Sequence, residues 1–181
     1  MKTKHFINFF AVLLIAFSCK NNKSEDSKTE ETPAKQNFSV ELDFVASKTD
    51  DFTLYFTENN TNEFVGAQTS WKGVNGGNVE EKITFDLAEQ IIPTNIRIDL
   101  GIKAQDSVVV KNVKVDYYGN TYQFKGSDFF NYFIKDAQFL TKIDPVKGTL
   151  TILAKDGVYK TPYYYPTQLT LDKLKEITTK K

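Results

Sequence analysis

The chain has 181 residues, 23 basic and 23 acidic side chains, one histidine and one cysteine. With His5 near the start and Cys19 the lone thiol, the rest of the chain cannot build Ser-His, Cys-His or histidine-ligated zinc chemistry. Arg97 is the only arginine, and without Lys2 and Lys4 the charge balance is slightly negative, which argues against the basic face that phosphate or nucleic acid needs.

Lys2 and Lys4 precede an apolar run from Phe6 to Phe17, broken by Asn8, and Ala16-Phe17-Ser18 lead into Cys19. A positive start, an apolar stretch of about 7–15 residues and small residues before a cut are the parts of a secretory signal. The run is too short for a permanent span, which takes about 20 residues. Residues 1–18 are therefore expected to be a signal peptide whose removal takes His5 with it. Cys19 cannot form an intramolecular disulfide, and an odd thiol in an exported chain calls for a use.

The segment resembles the signal of bacterial lipoproteins, in which the mature chain begins at a cysteine carrying three acyl chains. It departs from that pattern at Ala16, where leucine is commonest, and at Phe17, where a small residue is usual. The resemblance implies lipid anchoring through Cys19. Lys20, in place of the aspartate that retains such proteins at the inner membrane, implies the outer membrane. Ser24-Glu25-Asp26 is similar to an acidic surface-export signal, so periplasmic-facing and cell-surface orientations both stay open. Residues 19–36 then carry no large apolar side chain and are expected to be a disordered tether.

From residue 37 onward the chain is one domain by length. Phe38, Val40, Leu42 and Phe44 alternate with polar residues, as do Phe52, Leu54 and Phe56. A polar connection spans Glu58 to Glu63, a short strand is expected near Phe64–Lys72, and a Gly/Asn turn occupies Gly73–Asn78. Ile83, Phe85 and Leu87 alternate again, then Ile96, Ile98 and Leu100. In the β-branched run Val108–Tyr118, Val109, Val113, Val115 and Tyr117 are expected on one face. Period-2 segments at this spacing predict an antiparallel β-sandwich over 37–125.

Residues 126–181 differ in pattern. Ser127 is a candidate N-cap for a short amphipathic helix carrying Phe129, Phe130, Phe133 and Ile134. Asp144-Pro145 and Gly148 mark a turn, and Asp156-Gly157 is a strong hairpin signal between Thr149–Lys155 and the residues from Val158. A last helix is expected from about Thr167, burying Leu171, Leu174 and Ile177. The sum is a mainly β fold with a helix–hairpin–helix appendage packed on the sandwich.

Asn95-Ile96-Arg97-Ile98-Asp99-Leu100-Gly101 followed by Val108–Val115, with Asn112 at its centre, resembles the closing strands of galactose-binding-like jelly rolls. That fold serves many carbohydrate-binding modules, and the similarity covers about residues 37–118. It implies a non-catalytic glycan-binding domain. A glycan site needs aromatic rings against the C–H face of a sugar and fixed polar groups for its hydroxyls. Trp71 beside the Gly/Asn loop, Tyr55, Arg97 and Asp99 on the polar faces of their strands, and Tyr163, Tyr164 and Tyr165 between two prolines are the candidates.

Each has a structural alternative. Trp71 can be a core or rim residue, Arg97 and Asp99 can pair with charges nearby, and two or more of the tyrosines can pack the appendage. No cofactor is called for. A structural calcium ion, which this fold often carries, could use Asp50, Asp51 and Glu58 with Asn59, Asn60 and Asn62, but a solvated polar turn explains them equally. Carboxylate pairs are the catalytic device still open to such a chain, and nothing in the spacing singles out two. A scaffold docking another envelope protein and a carboxylate-based glycoside hydrolase are the competing functions.

Overall fold

The computed structural model describes residues 36–66, 68–103, 105–135, 140–153 and 157–179. The expected signal peptide, Cys19, Lys20 and the tether as far as residue 35 lie outside the described residues. Among the described residues, no helix is long and apolar enough to cross a membrane.

The strands are β1 (Phe38–Ala46), β2 (Asp50–Thr57), β3 (Thr69–Val74), β4 (Glu80–Asp86), β5 (Asn95–Leu100), β6 (Ser107–Tyr117) and β7 (Asn120–Lys125). They are followed by α1 (Phe129–Tyr132), β8 (Phe133–Lys135), β9 (Leu140–Asp144), β10 (Thr149–Leu153), β11 (Tyr163–Pro166) and α2 (Gln168–Thr179). One sheet runs β4-β1-β6-β10-β9, with β7 also paired to β6; the other runs β3-β2-β5-β11-β8. Every pairing is antiparallel.

Alternation makes the sandwich. Val40, Leu42 and Phe44 of β1 face Phe52, Leu54 and Phe56 of β2 and Ile96, Ile98 and Leu100 of β5 in one continuous core. Phe44 and Phe52 join the sheets with ring centroids 4.9 Å apart. Each such side chain, fully buried, contributes about 1.5–3 kcal/mol.

β6 departs from the simple alternation. Its pairing with β1 slips between Asp43↔Asn112 and Phe44↔Val110, so Lys111 is an extra residue. A bulge reverses which residues point inward: Val108 and Val110 are buried before it, Val113 and Val115 after it. Val109, expected to share a face with Val113, is on the opposite one.

At the same place the free edge of β6 changes partner, from β10 along Ser107–Val109 to β7 along Asn112–Tyr117. Tyr118 and Gly119, both at positive φ, close the β6–β7 hairpin in the two-residue manner that fits strand twist. Gly126 and Gly148 bring two further backbone segments against Val110, whose N–H donates to the Gly148 carbonyl at 2.9 Å. A Cβ on Gly126 would lie 1.8 Å from the Val110 carbonyl oxygen.

The C-terminal third is woven into both sheets. Helix, hairpin and helix occur in the expected order, but β8 to β11 are hydrogen-bonded strands of the two sheets. α1 ends at Tyr132, and Phe133 and Ile134, expected on its helical face, belong to β8. The hairpin forms at Asp144–Gly148, where Asp144 Oδ1 accepts the N–H groups of Val146 and Lys147 at 3.1 and 3.2 Å. β10 pairs with β9 and β6, the chain beyond Gly157 enters the other sheet as β11, and the turn expected at Asp156-Gly157 falls on residues 154–156, outside the described residues. α2 starts one residue after Thr167, buries Leu174 and Ile177, and is tied to α1 by Thr167 N–H and Thr170 Oγ1, which both donate to the Tyr132 carbonyl.

The junction at Val110 makes a prediction. Gly126→Ala should lower unfolding stability by about 3 kcal/mol or more, because the clash is with backbone and cannot relax cheaply. Gly66→Ala, with nothing within 4 Å of its Cβ, should stay within roughly 0.5 kcal/mol of the parent. Urea unfolding of both variants checks this.

Candidate functional site

The outward residues of β2 and β5 are fixed by the core side of the same strands. Because Phe52, Leu54 and Phe56 point in, Asp51, Thr53, Tyr55 and Thr57 point out; likewise Asn95, Arg97 and Asp99 oppose Ile96, Ile98 and Leu100. Register then aligns side chains across strands. Trp71, Thr53, Asp99 and Tyr163 form one row over β3, β2, β5 and β11. At a strand spacing of about 4.8 Å, that row is roughly 14 Å long. The neighbouring row contains Thr69, Tyr55 and Arg97, and Tyr165 extends it. The six candidates Trp71, Tyr55, Arg97, Asp99, Tyr163 and Tyr165 therefore share one sheet face.

Arg97 is the centre. Its Nε and Nη2 donate to Asp99 Oδ1 and Oδ2 at 2.8 and 2.9 Å, a bidentate pair within one strand. The side chains are only 15% and 5% exposed. Four rings enclose the guanidinium: Tyr55, Tyr163, Phe64 and Tyr165, with centroids 4.0, 4.8, 5.4 and 5.9 Å from Cζ. The rings also touch one another, Tyr55 to Phe64, Phe64 to Tyr165 and Tyr165 to Tyr163, at 6.5, 6.0 and 5.7 Å. A cation against aromatic faces gains about 0.5–2 kcal/mol per favourable contact. The collar thus offsets part of the cost of removing the pair from water, which runs to several kcal/mol per ion.

Burial dominates the titration of Asp99. It pushes the carboxyl up to about 6, against the opposing pull of the Arg97 hydrogen bonds and charge. For Arg97, burial acts to lower the pKa, and the hydrogen bond and charge of Asp99 outweigh it, so the net shift is upward and the guanidinium stays charged.

Trp71 is 49% exposed, not a core residue, and its Nε1–H donates to Thr69 Oγ1 at 3.0 Å. Thr53, next to it in the row, is fully buried although it points away from the core, and its Oγ1 has no partner among the described residues. Of the tyrosine run, Tyr164 fills the core against Phe129, at 5.3 Å, while Tyr163 and Tyr165 are half-buried at the collar. Phe64 was legible as an aromatic after a polar connection, but it sits in a loop that folds over the face and not in a strand. Thr53 had no distinguishing sequence signal.

The calcium candidates do not converge. Asp50 and Asp51 begin β2, whereas Glu58 follows its end, roughly 25 Å away along an eight-residue strand. Asp50 Oδ1 accepts three backbone N–H groups, from Asp51, Ile102 and Lys103 at 2.7, 2.9 and 2.8 Å, and so holds the loop after β5. Asp51 pairs with Lys103 at 2.7 Å, and Glu58 Oε1 accepts the Ile92 N–H at 3.0 Å. Among the described residues, no group of three or more His, Cys, Asp or Glu side chains could hold a metal ion.

Comparison with known proteins adds nothing to this geometry: no family model, no curated protein and no solved structure matches the chain. What the face offers chemically is a set of ring surfaces, suited to apolar C–H groups, around a fixed, internally neutralised polar pair.

Because the folded state holds the Asp99 proton more tightly than the unfolded chain, its contribution to stability is greatest below about pH 4 and declines as pH rises through about 6. The stability difference between the parent and Asp99→Asn should accordingly shift against the parent across this window by up to roughly 1.4 kcal/mol per pH unit. Denaturant unfolding of both proteins from pH 4 to pH 7 measures it. Arg97→Lys, which loses both the fork and the stacking, should cost about 3 kcal/mol by the same measurement at pH 7.

Proposed function

We propose that the protein is a lipid-anchored binding protein of the bacterial cell envelope, held at the outer membrane through Cys19, that retains polysaccharide on the outward face of the β3-β2-β5-β11-β8 sheet. One observation carries this: Trp71, Tyr55, Phe64, Tyr163 and Tyr165 present rings on a single face about a fixed Arg97–Asp99 pair. The rings suit the C–H faces of sugars, and the tyrosine hydroxyls, with Thr69, supply hydrogen-bond partners. A sheet face about 14 Å across four strands favours an extended polymer lying across the strands over an enclosed small ligand. Catalysis is disfavoured because glycoside hydrolysis needs two carboxyl groups flanking the bond, and Asp99 is engaged by Arg97 through both oxygens.

A protein partner is the second reading. Ile134, opposite Tyr165 in register, is 51% exposed, so an apolar margin continues beside the collar. An assembly role would use the same face to dock another envelope protein.

Two measurements separate these functions. Calorimetric titration of the full chain in a detergent without a sugar headgroup, against a panel of soluble polysaccharides, should give binding that Trp71→Ala weakens about tenfold. Absence of binding across the panel, together with stoichiometric recovery of one envelope protein on the native lipidated form, would favour docking. For the anchor, cells fed a palmitate analogue should label the parent and leave Cys19→Ser unlabelled; equal labelling rejects lipidation at Cys19.

A further inference from the structure

A cleft of about 630 Å³ lies between the loops at Asn60–Asn62 and Pro93–Asn95 and the helix α2. Its size falls within the roughly 300–1,000 Å³ typical of small-molecule sites. Its chemistry is unlike that of the aromatic face. Four side-chain amides, those of Asn60, Asn62, Asn95 and Gln168, line it together with threonine hydroxyls, and its charged residues are one acid and one base, Asp172 and Lys175. Amides both donate and accept, as a sugar hydroxyl requires. An anion would need a basic excess and a cation a set of carboxylates, and neither is present in the lining.

The cleft is rigidly built. Thr94 fastens one loop to the other: its N–H donates to the Thr57 carbonyl at 2.8 Å, and its Oγ1 accepts the Asn60 N–H at 2.9 Å. Asn60 holds a left-handed conformation, with φ 59°, a backbone state that asparagine tolerates and most side chains resist. Asn95 is 3% exposed and lines the cleft. Its Nδ2 donates to the Thr61 carbonyl at 3.1 Å and to Asn62 Oδ1, which fixes the amide orientation because a carbonyl can only accept. Asn95 Oδ1 is then left as a buried acceptor without a partner among the described residues. Buried acceptors of this kind are rare and need a cause.

We propose that this cleft is a second binding site, for a neutral polyhydroxylated molecule of monosaccharide size. Asn95, Arg97 and Asp99 point to the same side of β5, so the cleft begins roughly 7 Å along the strand from the collar. That one polymer could occupy both places rests on the glycan function proposed above; the cleft's own specificity does not.

The test is amide-resolved NMR of the full chain in a detergent without a sugar headgroup, titrated with glucose, galactose, mannose, xylose, N-acetylglucosamine and, separately, inorganic phosphate. At least one sugar should shift the side-chain amide signals of Asn60, Asn62 and Asn95 saturably. Gln168→Ala should weaken that response about five-fold, the loss of one net hydrogen bond, and Trp71→Ala should leave it unchanged. The proposal is overturned if no sugar gives a saturable shift in a well-dispersed spectrum, if phosphate alone does, or if Gln168→Ala has no effect. An oligosaccharide that moves Trp71 but none of the three asparagines would likewise overturn it while leaving the aromatic face as a glycan site.

Discussion

Three backbone segments converge on Val110, and much of the architecture depends on their doing so without side chains between them. Gly126 and Gly148 approach the Val110 carbonyl too closely for any Cβ. Their approach lets a single strand edge serve two partners, β10 before the Lys111 bulge and β7 after it. Once β10 is paired there, the chain that follows it crosses to the other sheet and lies beside β5. Tyr163 and Tyr165 reach Arg97 by that route. The surroundings of the arginine are thus decided in part by a packing constraint in the opposite sheet.

The two outer faces show what is unusual about the collar. On the β1–β4 side, Lys82 bridges Glu41 and Asp43 at 2.8 and 3.3 Å in the open, where such pairs contribute about 0–1 kcal/mol. On the other side, one ion pair is enclosed by four rings at a net cost in desolvation. Replacement of such a pair by apolar residues is often neutral or stabilising, so stability alone does not account for it. Fixed orientation does: the fork to Asp99 and the stacking on Tyr55 hold the guanidinium from two directions, and the ring positions follow from it.

Strand alternation was legible from the sequence, and with it the outward placement of Tyr55, Arg97 and Asp99. Their convergence with Tyr163 and Tyr165 was not, because it depends on β11 pairing with β5 across more than sixty intervening positions. Local signals failed where a distant partner outcompeted them. Phe133 and Ile134 have helical spacing with Phe129 and Phe130, yet β11 offers them a sheet edge. The face expected for Val109 was reversed by one inserted residue, Lys111, which alternation cannot reveal. The acidic residues around β2 suggested an ion because the sequence hides their separation along an extended strand.

The long sequence separation between β5 and β11 has a consequence for biogenesis. Ribosomes deliver residues in order, and domains of this size fold as units once their contacts are available. Until the segment from Tyr163 has emerged, Arg97 and Asp99 have no tyrosines from β11 over them, and β5 has an open edge. A chain that is unfinished or cut before Tyr163 would expose a charged pair and an unpaired strand together, the kind of surface that chaperones retain and proteases attack. Completion of the face therefore waits for a segment made more than sixty residues after β5.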